Sequence, residues 1–333
     1  MATASSNLDN FIAEGMDYGG IAKMYAAMPL KEYVGVWLKT FKSSSLKTAS
    51  YSRLESSLVT LDDYGIAVKP IGEITAFDIQ KYVNELTNRG YALSTIKKQM
   101  RIVTAPLRQA AAMHFIQADP SVGVKLPAQQ NVKKQKKNIN PYTEEEQKLL
   151  WQEIERSSRP GGLIIGLMLE TGMRVGEALA LRWKYVDIKR KRLRVEATML
   201  NLANKKQCVL QESPKTISSR RVIPLTNKAI EILEKAQANA KNEYVFTNGR
   251  GEPLTYEALR YQTQQICKNA DVEYRGEHVF RHTFATNCYY NNIDVKVLSK
   301  ILGHSDVNVT YNIYISLKGD GFDEMYDALN RVS

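Results

Sequence analysis

Two imidazoles and a guanidinium occur within five positions of the segment HVFRHTFAT, which runs from His278 to Thr286. Residues three and four apart share one face of a helix, so His278, Arg281 and His282 would lie on the same side. The opposite side is apolar and would anchor the helix in a core; it carries Phe280, Phe284 and Cys288. Such a cationic face suits an anionic group, for instance a phosphate, or a metal ion.

A second arginine follows a glycine turn in the segment TGMRVGEALAL, Thr171 to Leu181. Arg174 would open a helix there, and Glu177, one helical turn later, could orient its guanidinium. An arginine that a carboxylate holds at the start of a helix is well suited to bind a phosphate with both arms of its fork. The alternative is a surface ion pair, which contributes little.

Two other segments carry side chains that could react. LGHSDVNVTYNIY contributes His304 and two tyrosines, Tyr311 and Tyr314, which would share one helix face. A tyrosine hydroxyl has a pKa of about 10, so it attacks only when it is aligned and partly deprotonated. Lys215 lies in the turn-forming segment SPKTISS, between two predicted strands. We expect it at the tip of a β-hairpin.

Two rival sites can be built from the same part of the chain. A metal site would use His278, His282, Cys288 and His304, but no Asp, Glu or Cys falls at the usual ligand spacing. A serine hydrolase would need a GxSxG turn, and the sequence contains none. Neither rival is favoured.

The composition points to a polyanionic partner. The 333 residues include 46 Lys and Arg against 35 Asp and Glu, which gives a net charge of +11. No basic amphipathic helix or lipidation signal appears, so nucleic acid is favoured over a membrane, with a merely basic soluble protein as the alternative. The three cysteines lack paired spacing, and no signal peptide or bilayer-length apolar run is present. We therefore expect a soluble protein of the reducing cytoplasm.

The N-terminal half is predicted to be helical over residues 30–127, whereas residues 1–29 predict no element. Ser94 is expected to cap the longest helix of this half, and Pro106 to kink or break it. Three basic residues fall on one face of that helix, where they are either a solvated surface or DNA contacts. They are Lys97, Arg101 and Arg108.

A polar segment, residues 128–140, separates two predicted domains. It contains the linker lysines, by which we mean Lys133, Lys134, Lys136 and Lys137. This run is either a solvated tether or a contact with a phosphate backbone. Residues 141–333 mix helices with strands predicted at 192–198, 207–211 and 221–223. The predicted fold is therefore mainly α with a small antiparallel β-sheet, in a helical domain followed by a mixed α+β domain.

Taken in order, these motifs make the chain resemble the tyrosine recombinases, also called phage integrases. The resemblance covers about residues 30–320 and rests on TGMRVGEALAL, SPKTISSRRVIPL, HVFRHTFAT and LGHSDVNVTYNIY. It implies a helical core-binding domain at 30–127 and a catalytic domain at 141–333. It also implies site-specific cutting and rejoining of DNA through a 3′-phosphotyrosine, without ATP, metal or another cofactor.

The resemblance assigns the phosphate-binding roles to residues that the motifs already single out. Arg174 and Arg281 would bind the scissile phosphate, and His278 and His304 would donate hydrogen bonds to it. Glu177 would steady Arg174.

The same resemblance assigns the proton and the nucleophile. Tyr314 would attack the phosphate, with Tyr311 as the alternative, and Lys215 would protonate the leaving 5′-oxygen. His282 would have a structural role beside the phosphate-binding residues.

Two other functions stay open at this point. A type IB topoisomerase uses the same chemistry, and a catalytically silent DNA-binding protein could keep the fold. The resemblance implies double-stranded recombination sites as the partner and a homotetramer on two synapsed sites, with accessory or directionality proteins as further candidates and no membrane. After Tyr314 the spacing predicts a tail helix within residues 320–333, docked either on its own domain or on a neighbouring protomer.

Overall fold

The computed structural model describes residues 17–128, 140–157, 159–202, 207–212 and 220–311. These residues form two compact units, the first made of residues 17–128 and the second of nearly all the others. Helices dominate both units, and the strands of the described ranges lie between residues 186 and 224. None of the helices in these ranges is long and apolar enough to cross a membrane.

Five α-helices of the described residues build the first unit around one apolar core. They are α1 (Tyr18–Ala26), α2 (Leu30–Trp37), α3 (Thr48–Thr60), α4 (Ala76–Asn88) and α5 (Leu93–Ala112). Apolar residues at helical spacing form the buried faces of these helices, and residues such as Leu30, Val83 and Leu107 are fully buried. The helical character predicted for residues 30–127 is therefore observed.

Helix α1 lies in the part of the chain for which no element was predicted. Two glycines, at positions 19 and 20, lower its helix propensity by roughly 1 kcal/mol each. The Asp17 carboxylate caps the helix by accepting from the backbone N–H of Gly20 at 2.7 Å. Tyr25 is buried and stacks on Phe115 with ring centroids 4.6 Å apart. Tertiary burial therefore outweighs the weak local preference.

Helix α5 differs from its prediction at its N-cap, and the break considered at Pro106 is absent. It begins at Leu93 with Ala92 as N-cap, so Ser94 lies inside the helix and is not its cap. It also runs through Pro106 without a break. Pro106 and the neighbouring Leu107 are buried in the first core, and this packing holds a helix that proline alone would disrupt.

Seven α-helices lie entirely within the described part of the second unit. They are α6 (Glu144–Arg156), α7 (Pro160–Thr171), α8 (Val175–Leu179), α9 (Asn227–Ala238), α10 (Tyr256–Asn269), α11 (His278–Tyr290) and α12 (Val295–Leu302). Helix α7 is buried almost all round and contacts α6, α9, α10 and α11, so it is the centre of the unit. Helices α11 and α12 share a small apolar cluster that includes Cys288 and Leu298.

The strands of the second unit form two small sheets. Strands β1 (Val186–Asp187), β2 (Arg192–Val195) and β5 (Arg221–Pro224) make one, and β3 (Thr198–Leu202) pairs with β4 (Gln207–Gln211) in the other. The single strand predicted at 192–198 is divided between two strands: β2 ends at Val195, which pairs with Arg221, and β3 begins at Thr198.

The predicted hairpin around Lys215 falls on residues 213–219. Among the described residues, β4 pairs with β3 and β5 pairs with β2, and no pairing of β4 with β5 is present. Lys215 itself lies outside the described residues.

Candidate active site

Arg174 is held at the junction between α7 and α8. Helix α7 ends at Thr171, and the left-handed backbone of its C-cap Gly172 (φ 63°) turns the chain. Arg174 is the N-cap of α8. The Glu177 carboxylate accepts from the backbone N–H of Arg174 at 2.9 Å and from its Nη1 at 2.8 Å. The predicted orientation of Arg174 by Glu177 is thus present, while the Arg174 side chain stays 35% exposed.

Arg281 projects from the first turns of α11 into a buried position, where it is 5% exposed. Its Nη1 donates to the carbonyl of Gly172 at 2.7 Å, and its Nη2 donates to Leu302 at 2.8 Å. Burial and the charge of Arg174 lower the pKa of Arg281 to about 9, which still leaves it protonated at neutral pH. The predicted division of α11 into a polar and an apolar face is therefore too simple, because Arg281 is as buried as its apolar neighbours.

His304 follows α12 and contacts Arg281 directly. The Arg281 Nη2 lies 2.8 Å from His304 Nε2, and His304 Nδ1 lies 2.8 Å from the Thr310 hydroxyl. Arginine can only donate, so Nε2 accepts and the proton of the neutral ring is on Nδ1, which donates to Thr310. Burial, together with the charges of Arg281, Arg174 and Arg221, lowers the pKa of His304 to about 4. The imidazole is therefore neutral at pH 7.

The end of α12 presents three consecutive backbone carbonyls to three arginines. Each arginine donates one hydrogen bond to a carbonyl: Arg221 to Ile301, Arg281 to Leu302 (2.8 Å), and Arg174 to Gly303 (3.2 Å). The last carbonyls of a helix have no partner within it and carry partial negative charge. The helix end therefore brings together three guanidiniums that would otherwise repel one another.

Arg221 is the member of this group that the sequence reasoning missed. It lies on β5, its side chain is 5% exposed, and it forms a bidentate pair with Glu177 at 3.0 and 2.7 Å. The sequence does contain a signal for its burial: Arg221 and Ile223 lie on the same face of a strand, and Ile223 is plainly a core residue. An arginine on the buried face needs a buried acidic partner.

Glu177 is consequently shared by two arginines. It is 5% exposed, and burial alone would raise its pKa. Hydrogen bonds and charge from Arg221, followed by those from Arg174, outweigh the burial and lower the pKa to about 2. This is a buried anchor and not the surface ion pair considered as the alternative.

The two remaining histidines of the motif lie on the first turns of α11. His278 is exposed at the first helical position, and its ring centroid is 5.9 Å from that of His282. Desolvation and the charges of Arg281 and Arg174 lower the pKa of His278. Desolvation and the charges of His278 and Arg281 likewise lower the pKa of His282. Among the described residues no group of His, Cys, Asp and Glu is arranged to hold a metal ion, so the metal site built on His278, His282, Cys288 and His304 is not formed there.

Only one of the two candidate nucleophiles can be located. Residues 307–311 are helical, and Tyr311 at their end is 44% exposed. Tyr314 and the predicted tail helix lie outside the described residues, as do the linker lysines.

The basic residues predicted on α5 line a groove of the first unit. Lys97, Arg101 and Arg108 are exposed and border a groove of about 900 Å³. Lys42 and Arg53 contribute further positive charge to its walls. Arg108 also pairs with Asp119 at 3.3 Å, so part of its charge is neutralised.

Comparisons with known proteins agree with this arrangement. Residues 130–319 match the phage integrase family. A tyrosine recombinase XerC-like protein of Caldanaerobacter subterraneus subsp. tengcongensis is 26% identical over 321 residues, which covers 89% of this chain and 81% of the relative.

Solved structures show the same fold. The Tn1549 transposon integrase in complex with a circular intermediate DNA has a TM-score of 0.75 at 19% identity and covers 92% of this chain and 100% of that one. A lambda integrase tetramer bound to a Holliday junction has a TM-score of 0.62 at 19% identity, over 88% of this chain and 80% of that one. With more than half of its length matched to one family, the chain belongs to the phage integrase family, the tyrosine recombinases.

Proposed function

We propose that this protein cuts and rejoins double-stranded DNA with Tyr314 as the nucleophile and a 3′-phosphotyrosyl intermediate. As a member of its family it is a site-specific recombinase, and the proposal concerns how its own residues divide the work. The observation that carries the proposal is the contact between Arg281 and His304 beside Arg174, all three held near the last turn of α12.

Arg174 and Arg281 bind the scissile phosphate in this proposal. Attack on a phosphodiester places extra negative charge on the transferring group, and fixed cations stabilise that charge more than they stabilise the ground state. Loss of one such preorganised donor costs roughly 3–4 kcal/mol, or about 100- to 1,000-fold in rate. We expect a loss of this size for Arg281→Ala and for Arg174→Ala.

His278 and His304 donate hydrogen bonds to the same phosphate. In the free protein His304 is neutral and its Nε2 accepts from Arg281, so this nitrogen has no proton to donate. A bound phosphate brings a negative charge that favours the imidazolium and raises the pKa of the ring. DNA binding is therefore the step that turns His304 into a donor.

The chemical step exchanges one phosphate ester for another. The Tyr314 hydroxyl gives up its proton to solvent as its oxygen bonds to phosphorus, the bond from phosphorus to the 5′-oxygen breaks, and Lys215 gives a proton to that oxygen. A 5′-hydroxyl of a second strand then reverses the reaction, so the bond energy is kept and ATP is not needed. Both roles rest on the family resemblance of the motifs, and Glu177 supports them by holding Arg174.

DNA is bound by both units in this proposal. The basic groove bordered by Lys97, Arg101 and Arg108 and the linker lysines contact the phosphate backbone, which sets affinity more than sequence choice. Two synapsed sites are bound by a homotetramer, the state in which lambda integrase was solved on a Holliday junction. Accessory or directionality proteins are candidate further partners.

A trapping experiment tests the proposal. Randomised duplexes that carry a nick close to the cleaved position lose the short leaving fragment, so an enzyme stays covalently attached to the DNA. We expect an adduct that survives denaturation, forms in EDTA and is absent with Tyr314→Phe. Strand exchange between two selected sites then distinguishes a recombinase from a type IB topoisomerase.

Tight DNA binding without any adduct would contradict the proposal. It would indicate a catalytically silent DNA-binding protein. This alternative and the topoisomerase are not favoured, because the matched relative and solved structures are recombinases and integrases.

A further inference from the structure

Arg221 connects two parts of the second unit that carry phosphate-binding residues. Its Nη1 and Nη2 donate to the two oxygens of Glu177 at 3.0 and 2.7 Å, and Glu177 in turn orients Arg174. Its Nε donates to the carbonyl of Ile301, in the last turn of α12. One side chain on β5 therefore contacts both the α8 start and the α12 end.

The aliphatic part of the Arg221 side chain packs closely against Gly303, at the end of α12. A Cβ at Gly303 would lie 2.9 Å from Arg221 Cδ, and the backbone there is left-handed (φ +67°). Only glycine adopts this conformation without strain while leaving room for the arginine. His304 is the next residue, so Arg221 constrains the position of the histidine through the peptide of Gly303.

The contacts of Arg221 make it unlike a phosphate ligand. Both terminal nitrogens face a buried carboxylate whose pKa is about 2, so the carboxylate stays charged at every working pH. A phosphate would have to displace this bidentate partner from a side chain that is 5% exposed. Arg174, in contrast, is 35% exposed and donates to Glu177 through one arm of its fork.

We infer that Arg221 is a positioning residue for strand cleavage: it fixes Glu177, and through it Arg174, and it fixes the Gly303 peptide that precedes His304. This inference rests on the proposed function. Charge on Arg221 is not applied to the phosphate directly, so its loss displaces the true ligands. A displacement of about 1 Å at a reacting centre costs about 100-fold in rate.

The test compares cleavage rates on two forms of a selected, nicked half-site. One form carries the normal phosphate, and the other carries a neutral methylphosphonate at the cleaved position. Arg221→Met is expected to slow adduct formation about 100-fold on both forms, while half-site affinity changes less than about threefold. Arg174→Ala is expected to be slow on the phosphate and to recover on the methylphosphonate, which needs less charge neutralisation.

A matched control and a coupled variant sharpen the comparison. Arg220→Met removes the same charge one residue earlier, from a side chain that is 60% exposed, and is expected to cleave within about threefold of wild type. In a Glu177→Gln background, Arg221→Met is expected to cost much less than alone, because the two residues act as one unit. Arg221→Lys keeps one contact and is expected to fall between wild type and Met.

Two results would overturn the inference. Recovery of Arg221→Met on the methylphosphonate, to the same degree as Arg174→Ala, would make Arg221 a phosphate ligand. Wild-type cleavage by Arg221→Met would make it a bystander. If the Met variant does not fold, Arg221→Lys answers the same comparison. Failure of the wild-type protein to form any adduct would instead refute the proposed function.

Discussion

Replacing Glu177 with Gln tests whether the arginines depend on one buried charge. The side chain keeps its size, but one carboxylate oxygen becomes an NH₂ that would face guanidinium donors. Glu177 is 5% exposed, and its pKa is about 2 against an ordinary value of 4.5. This lowering of the pKa corresponds to roughly 3–4 kcal/mol of folding free energy at pH 7.

The free energy of unfolding that Glu177→Gln removes decreases as the pH falls. The folded state lowers the pKa of Glu177, so the carboxylate stabilises the fold above about pH 4.5 and loses that effect as the pH falls towards 2. At pH 3 the contribution is only about 1 kcal/mol. The difference between wild type and Glu177→Gln should therefore shrink by more than half between pH 7 and pH 3.

Urea unfolding followed by tryptophan fluorescence measures both quantities. Two of the three tryptophans, Trp151 and Trp183, lie in the second unit. Glu234→Gln is the matched control, because Glu234 is exposed on α9 and should change stability by less than about 0.5 kcal/mol. A Glu177→Gln variant as stable as this control at pH 7, or one whose deficit is the same at pH 3, would refute the reasoning.

Three further predictions concern protons and phosphates. In the free protein His304 should titrate near pH 4, which NMR of the four histidines can measure. Because bound DNA raises the pKa of His304, half-site affinity should increase as the pH is lowered from 8 to 6. Titration of His304 near pH 6.5 in the free protein would contradict this prediction. Lys215→Ala should cleave slowly but recover on a substrate with sulfur as the 5′-leaving atom, and a lack of rescue would exclude Lys215 as the acid. Alanine at the linker lysines should make the slope of log affinity against log salt shallower by up to roughly 0.9 per lost contact, and an unchanged slope would mean a solvated tether.

Local features of the site could be predicted from the sequence because they depend on short spacings. Arg174 and Glu177 are three residues apart, so a helix start brings them together whatever surrounds them. The helical character of the first unit likewise followed from apolar residues at helical spacing, which tertiary packing reinforces.

Contacts between distant parts of the chain could not be predicted in this way. Arg221 is 44 residues from Glu177 and 80 from Ile301, so no spacing rule joins them. The same holds for the strands: β4 has no local signal that selects β3 over β5 as its partner, because strand pairing depends on the packing of the whole unit. Helix α1 was not predicted because its glycines lower the helix propensity of the segment, and burial of residues such as Tyr25 stabilises it instead.

The most direct test of the central claim is to identify the residue that becomes attached to DNA. The trapped adduct is digested with protease and nuclease, and mass spectrometry maps the modified tyrosine. We predict a phosphotyrosyl bond at Tyr314, loss of the adduct but not of DNA binding in Tyr314→Phe, and an adduct that persists in Tyr311→Phe. A modified Tyr311, or wild-type cleavage by Tyr314→Phe, would contradict it.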